Sequence, residues 1–189
     1  MDKLDEGRSR LIKSGGFFDE EFIIRLYMEM LVFMSCFGKT GGFRTLLLER
    51  RDCLATTRLM SLHVGKGQTA GDAVKRALGY IKDPTKTENG ILVTSYGCTP
   101  QTAEAEFMLM RREYLTITGR RRGKDDVLAY HLRQSFKPGE ITPEKANRIS
   151  CELAKRFTHG NHAFIVATHN NTNAIHSHII FSAVNLDCD

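Results

Sequence analysis

Three of the seven histidines fall within ten residues: His169, His176 and His178. In a strand, residues i and i+2 point to one face, so His176 and His178 project together if residues 175–184 are extended. His169 closes the preceding apolar run, 163–169, and a polar connection, Asn170-Asn171-Thr172-Asn173-Ala174, separates the two. A hairpin there gathers three imidazoles at one end of a sheet. Three neutral nitrogen ligands with open positions make a catalytic type of metal site, where water or a phosphate oxygen completes the shell. A lone strand histidine is more often an exposed or satisfied polar group. Two at i, i+2 with a third across a tight hairpin favour the metal. His159 and His162, just before the hairpin, read as surface or outer residues.

Tyr80 is set apart by its neighbours, in the run Ala77-Leu78-Gly79-Tyr80-Ile81-Lys82-Asp83-Pro84-Thr85-Lys86-Thr87. A free phenol titrates near ~10 and attacks poorly at neutral pH. Cations such as Lys82 and Lys86, or a metal, favour its phenolate and hold a phosphate chain. The plainer alternative is a ring packed on the sheet. Arg120, Arg121 and Arg122, with Lys124, form a basic loop that either faces solvent or tracks a DNA backbone. In Tyr130–Phe136 the strand parity puts His131, Arg133 and Ser135 on one face, suited to phosphate or sugar contacts or to an ordinary exposed face.

These residues need elements to hold them. From residue 56 onward the pattern alternates: a strand over 57–64, a helix over 70–81 stopped by Pro84, a strand over 91–96 and a helix over 101–115. A strand over 126–136 follows, then a helix over 143–157 with Thr142 as N-cap and Pro143 at its first position. The two histidine-bearing strands come last. About five strands with interspersed helices predict an α+β fold, a central antiparallel sheet flanked by helices. The final hairpin is antiparallel because its connection is too short for a parallel crossover.

The 189 residues are 41% hydrophobic and 26% charged, an ordinary globular composition. Net charge is +5. Residues 1–53 carry nine basic and nine acidic side chains, so residues 54–189 supply the whole excess, which suits a polyanionic partner. The first segment, with a helix signal over Phe17–Phe37, reads as an N-terminal extension of unknown role. The five cysteines are scattered and odd in number, and no secretory signal pattern is present; reduced thiols in a cytoplasmic protein are expected. The most apolar stretch, Met30–Phe37, is far short of the roughly 20 residues that span a bilayer, so no membrane insertion is expected.

Taken together, the segments resemble the relaxase (mobilisation nuclease) family of the HUH endonuclease superfamily. They look like the relaxases of integrative conjugative elements of Gram-positive gut bacteria. Leu78–Thr87 is similar to the family's first motif, which makes Tyr80 the nucleophile. Tyr130–Glu140 is similar to the second, whose serine contacts DNA near the nick, here Ser135. Thr168–Asn185 is similar to the histidine-triad motif through His169, His176 and His178. The tyrosine precedes the histidines, as in relaxases and unlike rolling-circle initiators of the same superfamily. Two departures stand out: Asn171 occupies a position often acidic in the family, and Ser177 separates the paired histidines where the superfamily's name implies an apolar residue.

The resemblance implies an HUH nuclease-like domain over 54–189, incomplete at its C-terminus. It implies site- and strand-specific nicking and rejoining of single-stranded DNA at a transfer origin through a 5′-phosphotyrosine link. It further implies Mg²⁺ or Mn²⁺ at the histidines, with Zn²⁺ also admitted by imidazole ligands. DNA contacts fall to Ser135, His131, Arg133, Lys82, Lys86 and Arg120–Arg122. Accessory mobilisation proteins and a coupling protein are the expected partners. Two alternatives stay open: a DNA-binding relaxase remnant that does not nick, and a metal-dependent phosphohydrolase.

Overall fold

A computed structural model of the chain describes residues 56–120 and 126–188. The helix expected at Phe17–Phe37, the boundary at residues 53 and 54, and Arg121, Arg122 and Lys124 lie outside the described residues. The elements run β1 (Thr56–Leu62), α1 (Ala70–Ile81), β2 (Val93–Tyr96), α2 (Ala103–Thr118), β3 (Ala129–Ser135), α3 (Pro143–Phe157), β4 (Phe164–His169) and β5 (His176–Ser182). The strands form one sheet in the order β1-β3-β5-β4-β2, antiparallel throughout. The α+β fold with a five-stranded antiparallel sheet is thus the one the sequence predicts.

Local chemistry sets the helix starts. Thr69 caps α1: its hydroxyl accepts from the Asp72 amide, and the Asp72 carboxylate accepts from the Thr69 amide. Thr142 caps α3, with Pro143 in the first turn, where a missing N–H costs nothing. α2 runs three residues beyond its expected end, through Thr118, and the Thr116 and Thr118 hydroxyls donate back to the Arg112 and Tyr114 carbonyls. It stops at Gly119, which takes a left-handed φ of 64°.

Two strands start later than their apolar runs. β2 begins at Val93 rather than Ile91, because Glu88, Asn89 and Gly90 all adopt positive φ and turn the chain just before it, leaving Ile91 exposed. β3 begins at Ala129, since Asp126 is engaged outside the ladder by the Arg111 guanidinium.

The sheet is covered on both sides. Val74, Leu78 and Ile81 of α1 and Phe107, Met110 and Tyr114 of α2 pack with Ala129, Ile165, Ala167 and Ile180, which share one face by register. On the other face α3 hydrogen-bonds through Asn147 to Thr168 and through Ser150 to Gln134. Central β4 is buried at every position and β5 at every position but His176. This explains why Phe164–Ala167 and Ile179–Phe181 read as continuous apolar runs rather than alternating ones. Among the described residues no helix is long and apolar enough to cross a membrane.

Candidate active site

His169 is the last residue of β4 and His176 the first of β5, and the two are direct partners across the ladder. His178 lies two residues on, on the same face. The three rings converge, with centroids 5.2 Å apart for His169–His176, 4.5 Å for His169–His178 and 5.2 Å for His176–His178. One ring nitrogen from each lies within 4.8 Å of the others, a spacing that admits a metal ion.

The remaining nitrogens are already used. His169 Nε2 donates to the Ile81 carbonyl at 2.9 Å, and His176 Nδ1 to the Ala174 carbonyl at 3.0 Å. His178 Nδ1 lies 2.8 Å from His131 Nε2. This leaves His169 Nδ1, His176 Nε2 and His178 Nε2 as the candidate ligand atoms. His178 Nε2 is buried without a hydrogen-bond partner, one of three such side-chain atoms among the described residues; the others are Thr57 Oγ1 and Gln134 Nε2, on the α3 side.

Burial pushes the His169 and His178 imidazoles below the usual histidine range, and neighbouring histidines add to the effect. Burial, then Arg133 and His169, bring His131 down to about 4. Neutral rings with inward lone pairs are the donor set a metal requires, so the residues fit a divalent ion.

Tyr80 stands beside this cluster. It is the penultimate residue of α1, 54% exposed, while Leu78 and Ile81 on either side are buried in the core. Helical spacing thus anchors the last turn and leaves the tyrosine facing out. Its ring centroid is 5.9 Å from that of His169 and 5.7 Å from that of His178, edge-on to both. Lys86 sits 4.2 Å above the ring centroid, a cation–π contact, and pairs with Asp83 at 3.3 Å.

Other expected residues divide. Ser135 lies opposite His176, and Arg133 opposite His178, on the same sheet face; Arg133 Nε donates to Ser135 Oγ at 3.3 Å. His131 joins the cluster through His178. Lys82 instead donates to the Pro100 carbonyl, and exposed Arg120 lies on the connection that enters β3 at Ala129, the end away from Ser135. His162 bonds the Ser182 carbonyl at the far end of β4 and β5 from the triad, and His159 lies just beyond α3.

Asn171 is exposed on the turn. Ser177 is fully buried on the α3 side and shares a 2.8 Å hydrogen bond with Thr168 Oγ1. Sequence reasoning missed the carbonyls of Ile81 and Ala174, because backbone acceptors carry no residue signature. It also missed the His131–His178 pair. Strand parity put His131 on the right face, but only the non-local pairing of β3 with β5 places it against His178.

Residues 80–189 match the nuclease domain of MobA/VirD2-like relaxases. The chain is similar to Protein rlx of Staphylococcus aureus, 32% identical over 135 residues that cover 71% of this chain and 36% of that protein. It is also similar to the group II intron-interrupted relaxase LtrB of Lactococcus lactis subsp. cremoris, 32% identical over 134 residues, covering 61% of this chain and 24% of LtrB. The chain therefore spans between a quarter and about a third of the length of these curated relatives. No solved structure matches it.

Proposed function

Because this chain belongs to the MobA/VirD2-like relaxase family, we propose that it nicks and rejoins one DNA strand at a transfer origin during mobilisation, with Tyr80 as nucleophile. The observation that carries this reading is the placement of the Tyr80 ring within 5.9 Å of two of three converging imidazoles. The Tyr80 hydroxyl oxygen forms a bond to the scissile phosphorus as the bond to the 3′ oxygen breaks. The phenol loses one proton and the departing 3′ oxygen gains one, so one phosphodiester is exchanged for another. The exchange is reversible, which permits rejoining after transfer.

His169, His176 and His178 would hold the divalent ion, Mg²⁺ or Mn²⁺ in the cell, with Zn²⁺ compatible on ligand grounds. When bound, the ion supplies charge neutralisation at the phosphate. Lys86, over the Tyr80 ring, attracts the strand. Ser135 and Arg133, on the same face as the triad, position the DNA backbone on the sheet. Lys82 and Arg120–Arg122 would contact phosphates farther along the strand. Accessory mobilisation proteins and a coupling protein would act with it in the cytoplasm.

The test is incubation of the chain with a labelled single-stranded oligonucleotide carrying the transfer origin and Mn²⁺ or Mg²⁺. An SDS-resistant protein–DNA band is expected, lost with Tyr80→Phe and lost with EDTA. Cleavage with no covalent band, unaffected by Tyr80→Phe, would mean hydrolysis by water and would refute the tyrosine mechanism.

A further inference from the structure

Two of the triad's three outer nitrogens are held by backbone carbonyls, acceptors that fix a tautomer with no help from any side chain. The third, His178 Nδ1, has a side chain as its partner: His131 Nε2, at 2.8 Å. One hydrogen must lie between these two nitrogens, and its ownership decides what the other side of the His178 ring can do. If His131 were the donor, His178 would be protonated at Nε2, the buried atom with no hydrogen-bond partner among the described residues and the one ring nitrogen His178 has left for a ligand. An N–H there would leave His178 no lone pair to give a metal. If His178 is the donor, its Nε2 presents a lone pair into the cluster.

We propose that His131 is a positioning residue of the metal centre, accepting the Nδ1–H of His178 and so fixing the tautomer and ring orientation in which His178 Nε2 serves as ligand. This rests on the metal reading of the triad given above. Its geometry is independent of the DNA. His131 is carried on β3, the strand adjacent to β5, opposite Ile180 and two residues from the Arg133–His178 pair. The His131 and His178 rings are 5.0 Å apart and tilted by 42°. Outer partners of this kind typically set metal affinity by ~10–100-fold. The inference gives His131 a task distinct from that of Arg133 and Ser135 on the same strand face: those two face the strand to be cut, whereas His131 faces the ligand.

The experiment measures Mn²⁺ affinity of the full chain without DNA, by calorimetry or Mn²⁺ electron paramagnetic resonance. The variants are His131→Phe, His131→Gln and His176→Ala. His131→Phe keeps a ring but no acceptor and is expected to weaken Mn²⁺ binding by roughly 10–100-fold. His131→Gln restores an acceptor oxygen and is expected to recover most of that loss. Nitrogen-15 NMR of the wild-type chain is expected to show His178 protonated at Nδ1 and bare at Nε2, a signature that needs no variant to fold.

Wild-type affinity in His131→Phe would overturn the inference. So would equal losses in the Phe and Gln variants, or an Nε2-protonated His178. If His176→Ala abolishes Mn²⁺ binding while His131→Phe does not, only this inference falls. If His176→Ala leaves binding intact, the metal reading fails and takes the inference with it.

Discussion

Ser177 and His178 are neighbours on β5, both polar and both buried, yet they occupy opposite circumstances. Ser177 points toward α3, where its hydroxyl meets Thr168; Thr168 accepts from Asn147, and Asn147 accepts from Thr94 and donates to the Leu92 carbonyl. That network closes on itself. His178 points the other way, and its Nε2 has no hydrogen-bond partner among the described residues. One side of the strand spends its polar groups on holding β2, β4 and β5 to α3. The other keeps nitrogen lone pairs for a ligand. Burying a polar group is costly unless it is paired, and the unpaired His178 nitrogen beside Tyr80 is where the proposed metal would offset that cost.

Four substitutions break or sharpen this contrast. The largest effect belongs to Tyr80→Phe, which removes the oxygen proposed to form the bond to phosphorus. The covalent adduct should vanish while unfolding free energy moves by less than about 0.5 kcal/mol, as is usual for exposed positions. Next is His176→Ala on the open side. Mn²⁺ affinity should drop by more than the ~100-fold ceiling typical of losing an outer partner, and calorimetry reads it directly.

On the closed side the order of consequences reverses. Asn147→Ala takes the acceptor from the Thr94 hydroxyl and one donor each from Thr168 and the Leu92 carbonyl, and should cost about 1–3 kcal/mol in urea unfolding while Mn²⁺ affinity holds. Ser177→Ala removes one hydroxyl from the network and should cost about 1 kcal/mol, again without touching the metal. If either α3-side variant lost Mn²⁺ binding while folded, the two sides would be coupled and the contrast would fail.

The parts of the molecule legible in sequence are those whose causes are local. Helices α1 and α3 fall at the expected residues because Thr69 with Asp72, and Thr142 with Pro143, write their starts within four positions. The triad was legible for the same reason: the 170–174 connection forces His169 beside His176. Tyr80 was different. Its basic neighbours set it apart and the family resemblance implied its role, but nothing local ties it to histidines some ninety residues away; the packing of α1 on the sheet brings it there. Strand order was equally hidden, and with it the pairing of His131 to His178. The buried polar set of Asn147, Thr168 and Ser177 reads in sequence as ordinary surface chemistry, because partners that excuse burial come from three separate elements. The missed start of β2 lies with Glu88 and Asn89, whose left-handed backbone few sequence rules anticipate.

The carbonyl of Ile81 accepts from His169 one peptide bond after Tyr80. Helix α1 therefore works as a gauge block: a single turn sets both where the Tyr80 hydroxyl stands and how the His169 ring is aimed. A one-residue insertion within α1, harmless to composition and hydropathy, would swing Tyr80 by roughly 100° about the axis and withdraw the acceptor in the same motion. Drift among such chains should accordingly fall on which residues fill α1, and much less on how many there are.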